Sequence, residues 1–105
     1  PAPTAALAAE LAKLAGGASK LAARASELAA NGELRLAGHL AEFAVHAEPQ
    51  NEDAHRIRID VNKQRAAGET TLMAKGVFNG AVRDSQAVID PGALAAQPRR
   101  NVGIG

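Results

Sequence analysis

The chain has 105 residues and no cysteine, with 12 Lys and Arg against 11 Asp and Glu for a formal net charge of +1. So even a balance is no footprint of nucleic acid or an acidic membrane, and without thiols there is neither a disulfide framework nor cysteine chemistry. This length allows one small domain, and with 26 alanines, two Phe and no Trp or Tyr each buried side chain contributes little to its core.

In chain order, Pro1 to Ala15 reads as a first helix, with Leu7, Leu11 and Leu14 on one stripe. Gly16-Gly17 ends it, and Ser19 is placed to cap a second helix through Ala30 whose Leu21, Ala25 and Leu28 face the core. Asn31-Gly32 is a helix stop, because both residues tolerate the left-handed conformation. A third helix then carries Leu36, Leu40, Phe43 and Ala47 on one face and closes at Pro49, since a residue before proline is pushed out of the α region. Asn51 or Glu52 opens a fourth helix to about Ala67, with Ala54, Ile57 and Val61 as its apolar edge. Its outer face offers Glu52–Arg56, Arg56–Asp60 and Asp60–Lys63, each worth only about 0.2–0.5 kcal/mol. Gly68 marks a break. Glu69 to Gln86 is a fifth helix with a wide stripe of Leu72, Met73, Val77, Phe78, Ala81 and Val82. Past Ile89-Asp90-Pro91-Gly92 the periodicity ends, which divides the chain into a helical domain, 1–88, and an extended or mobile tail, 89–105.

The turns and small residues have a further order. Ala25, Ala37 and Ala44, the turn Gly32, the bulky Leu21 and Leu28, and Pro49 sit where the roughly 34-residue tetratricopeptide repeat places small, turn, bulky and closing residues. Leucines stand where that repeat has Trp and Tyr. The expected fold is therefore all-α, a tetratricopeptide-like antiparallel bundle of about five helices.

Only the histidines invite a chemical interpretation. His39, Glu42 and His46 share a helix face at spacings that suit a helical metal pair, but no further ligand accompanies them, and a polar face is the plainer account. His55, among charges at a helix start, is expected to be solvated. Arg56, Arg58, Lys63 and Arg65 form one basic cluster that could hold a phosphate or sulfate. Asp60 within it favours a salt-bridged surface instead. No glycine-rich phosphate loop, G-x-S-x-G elbow or H-x-x-E-H occurs. No catalytic residue and no metal site is assigned.

Three motifs carry a family resemblance: G-E-L-R-L-A at Gly32 to Ala37, A-E-P-Q-N at Ala47 to Asn51, and E-T-T-L-M-A-K-G-V-F at Glu69 to Phe78. In this order and spacing, over about half of the chain, they resemble the alkyl sulfatase dimerisation domain, a helical module that follows a metallo-β-lactamase-fold hydrolase domain. The resemblance implies a dimerisation module that is not itself an enzyme, beside a zinc hydrolase of sulfate esters or related substrates. The zinc-binding H-x-H-x-D-H of such hydrolases is not in this sequence, so zinc is expected only in the attached domain. The alternative is a tetratricopeptide-like adaptor with a groove for a partner peptide.

The fifth stripe is the widest apolar face and comes last, with only a proline-containing tail to cover it, so Leu72, Met73, Gly76, Val77, Gly80 and Val82 form the expected homodimer interface. Close approach of another helix would offset the propensity lost at Gly76 and Gly80. Neither nucleic acid nor membrane is an expected partner. No run approaches the roughly 18 apolar residues of a membrane span, and the N-terminus lacks the basic start and leucine-rich centre of a signal peptide. A soluble protein is expected, and the lack of cysteine favours the cytoplasm. The start at Pro1 and the single Met73 suit a piece of a longer protein, or loss of an initiator Met before Pro.

Overall fold

A computed structural model describes residues 4–92 as five helices, and there is no strand among these residues. They are α1 Thr4–Ala15, α2 Ala18–Ala30, α3 Leu34–Ala47, α4 Glu52–Ala67 and α5 Leu72–Ile89. Residues 1–3 and 93–105, which hold the expected start of the first helix and nearly all of the expected tail, lie outside the described part. The chain is all-α.

Glycines make the first turns. Gly16, Gly17 and Gly32 have φ of 98°, 123° and 85°, a region costly for residues with a Cβ, whereas Asn31 stays at −93°. Ser19 does not cap α2. Its cap position is Gly17, and the Ala18 N–H donates to Glu48 Oε2 at 3.4 Å. The Ser19 hydroxyl instead accepts from Asn51 Nδ2 at 3.0 Å, which ties the α3–α4 turn to the start of α2. Asn51 caps α4 as the sequence suggests, its Oδ1 accepting from the Ala54 N–H at 3.0 Å. α5 starts three residues later than predicted because Thr71 Oγ1 accepts from the Ala74 N–H at 3.2 Å, and it continues to Ile89.

The core lies among α1 to α4 and is built from small side chains. One cluster gathers Ala12, Leu21, Ala22, Ala44, Val45 and Ala54, and a second gathers Ala25, Leu28, Ala29, Ala37, Ala41 and Val61. Leu40 and Ile57 pack against both. This shifts two predicted stripes by about one residue. In α1 the inward edge is Ala8 and Ala12 while Leu7 and Leu14 are 50% and 85% exposed, and in α3 Leu36 is 47% exposed while Ala37, Ala41 and Ala44 are buried. An alanine face brings helix backbones close, so the leucines sit at its edge.

α1 packs on α2 and α3, and both α2 and α3 pack on α4. α5 packs on α4 alone. It therefore has one face inside and one that no other described helix covers.

Candidate functional site

The inner face of α5 buries Val82 and Ser85, and Ser85 joins it to α4 through polar groups. Ser85 is fully buried, and its hydroxyl lies 2.8 Å from Nδ1 of His55 and 3.0 Å from Nη1 of Arg58. His55 is not solvated as its charged neighbours suggested: it is 5% exposed, with Nε2 2.7 Å from the Pro49 carbonyl oxygen. A carbonyl only accepts, so Nε2 carries a hydrogen, and in the neutral ring Nδ1 accepts from Ser85. Arg58 also donates to the Ala81 carbonyl oxygen at 3.1 Å and, through Nε and Nη2, to both carboxylate oxygens of Glu42 at 2.9 and 3.0 Å. A continuous polar chain thus runs from Glu42 on α3 through Arg58 and Ser85 to His55 and the Pro49 turn. No buried side-chain polar atom lacks a partner among the described residues.

This chain reassigns the predicted histidine face. Glu42 turns to Arg58 rather than to a metal pair, His46 Nε2 lies 3.5 Å from Glu42 Oε1, and His39 is exposed. Among the described residues no group of three His, Cys, Asp or Glu side chains is placed to hold a metal ion. The basic cluster is dispersed as well. Arg56 pairs with Glu52 and Asp53 instead of Asp60, Asp60 accepts from Gln64, and Arg58 is inside.

Arg65 closes the other end of the α4–α5 contact. Its guanidinium carbon lies 4.5 Å above the centre of the Phe78 ring, and the same group occupies the space that a Cβ on Gly38 would need. Between α3 and α5, which do not touch, lies a cleft of about 420 Å³ floored by Arg58, Asn62 and Arg65 and walled by Glu42 and by α5 at Val77, Gly80 and Asp84.

The predicted interface residues divide. Val82 is buried against α4 and belongs to the core of its own chain. Leu72, Met73 and Val77 are 87%, 82% and 64% exposed. Gly76 is exposed and Gly80 half-buried, and a Cβ on either would meet no atom of the described residues within 4 Å, so neither glycine serves packing among them.

A helical module that leaves its bulky aliphatic residues outside, beside glycines it does not itself need, has the form of an association domain. A family model described as alkyl sulfatase dimerisation matches residues 1–87. The chain belongs to the alkyl sulfatase dimerisation family. The match takes in the first two helices, which the sequence motifs had left out. No curated protein and no solved structure gave a match. For this dimerisation domain, no helix among the described residues is long and apolar enough to cross a membrane.

Proposed function

We propose that this dimerisation domain associates with a second copy of itself through the outward face of α5, and that it works beside a metallo-β-lactamase-fold hydrolase domain. The observation that carries the first half is the exposure of Leu72, Met73 and Val77 on a helix whose opposite face is already packed. Leaving three such side chains in water forfeits about 1.5–3 kcal/mol each relative to full burial. A second copy supplies the missing cover. Gly76 and Gly80 let its backbone come close, and that proximity offsets the roughly 1 kcal/mol of helix propensity each loses relative to alanine.

No catalytic role is assigned to any residue of this chain. The zinc and the hydrolysis of a sulfate ester or related substrate are attributed to the attached domain, in keeping with the family. The reading frame that encodes the chain tests this half: an upstream H-x-H-x-D-H supports it, and a frame without any hydrolase domain contradicts it.

For the first half, light scattering on the eluting protein gives the mass directly. The wild-type chain should elute with twice the mass of one chain, and Val77→Lys should shift it toward the single-chain mass with helicity kept. An unfolded Val77→Lys would instead assign Val77 to the monomer core. The α3–α5 cleft also favours a second use, a groove for a partner peptide, and a monomeric wild-type chain would leave that adaptor role as the better account.

A further inference from the structure

Building on the self-association proposed above, we infer that Asp84 of each copy forms an ion pair with Arg65 of the other, so that the α3–α5 cleft is completed only in the dimer. Three observations lead there. Gly76, Gly80 and Asp84 follow one another at one-turn intervals on the side of α5 turned away from Val82 and Ser85. Gly80 lies at the middle of α5, so an antiparallel crossing there buries the greatest length of both helices. Such a crossing about a two-fold axis sets Asp84 of the second copy level with Gly76 of the first. That is the end of the cleft where Arg65 lies over Phe78.

The charges fit this placement. Glu42, the other carboxylate of the cleft, is engaged in bidentate fashion by Arg58. Among the described residues Arg65 makes no ion pair; its guanidinium plane stacks on Phe78 with Nη1 packed toward Gly38, so the pair with Asp84 is made through the rest of the fork. Asp84 is exposed on the cleft wall and also makes no ion pair among the described residues. By symmetry the pair forms twice. An incoming Asp84 would be flanked by Val77 and the Phe78 ring, surroundings that shield the ion pair from water and strengthen it. The pair selects the antiparallel register, because a parallel pairing would put Asp84 beside Asp84.

Charge reversal with mixing is the test. Asp84→Arg and Arg65→Glu should each lose the dimer, since each homodimer would then hold two like-charged contacts. Mixed in equal amounts, the two variants should form a heterodimer, in which both contacts join opposite charges. Native mass spectrometry separates the species. If the wild-type chain is a dimer and either single variant remains one, or if the mixture stays monomeric, the ion pair is wrong and the dimer stands. A monomeric wild-type chain overturns the dimer itself and the pair with it. Should Arg65→Glu fail to fold, the cycle of Asp84→Asn with Arg65→Gln on dimer affinity is read instead: coupled losses support the pair and additive losses overturn it.

Discussion

The α2–α3–α4 body and the α5 helix are joined to the rest of the molecule in different ways. In the body the two core clusters are alanine, leucine and valine alone. In α5 the inside holds Ser85, reached by His55 and Arg58, while Leu72 and Met73 stand in solvent. The two regions are thus stabilised by different physics. A core of small apolar groups depends on area and close approach, whereas a polar seam depends on every partner being present, because an unmade buried hydrogen bond costs more than a made one gains. A helix attached through a polar seam can turn its apolar face outward.

The largest expected effect breaks the body. Leu40 packs on both core clusters, so Leu40→Ala should lower stability by about 2–5 kcal/mol in urea titration. A loss within experimental error would mean that the clusters do not carry the fold. Next comes the seam. Ser85→Ala removes the hydroxyl shared by His55 and Arg58 and should cost about 1–3 kcal/mol. Glu42→Ala should cost about 1 kcal/mol, less than Ser85→Ala because the Glu42 side chain is 43% exposed. No spacing in the sequence shows the bond from Arg58 to Glu42, because it joins two helices. Hydrogen exchange of α5 should rise in both variants while that of α2 and α3 holds; a uniform rise would mean that α5 is no separate region. The smallest effect has the opposite sign. Gly76→Ala adds a Cβ that meets none of the described residues, so it should stabilise the monomer by up to about 1 kcal/mol while weakening association. A destabilised monomer would show that the glycine is needed for the chain's own packing.

How far the sequence revealed all this follows the same division. Five helices, the glycine turns, the Asn51 cap and the core role of Leu40 were legible, because each rests on local chemistry or on one helix's periodicity. In α1 and α3 leucine does not mark the inside, because alanine faces set the closest approach and leave Leu7, Leu14 and Leu36 exposed. The seam was not legible. Glu42, Arg58, Ser85 and His55 come from three different helices, and nothing in their spacing announces that they meet. His55 looked solvated for that reason. Of the predicted interface, Val82 turned inward, since α5 needs at least one valine against α4 to have an inside at all.

The central claim is that the outward face of α5 is made for a second copy of the chain, and sedimentation equilibrium on the wild-type protein and Gly80→Leu tests it most directly. The wild-type chain should fit a monomer–dimer equilibrium with a dissociation constant in the micromolar range or tighter. Gly80→Leu, whose Cβ would meet no atom of the described residues while its bulk would block a close helix crossing, should sediment as a folded monomer. A wild-type chain that stays monomeric at tens of micromolar, or a Gly80→Leu variant that dimerises as well as the wild type, would contradict the claim.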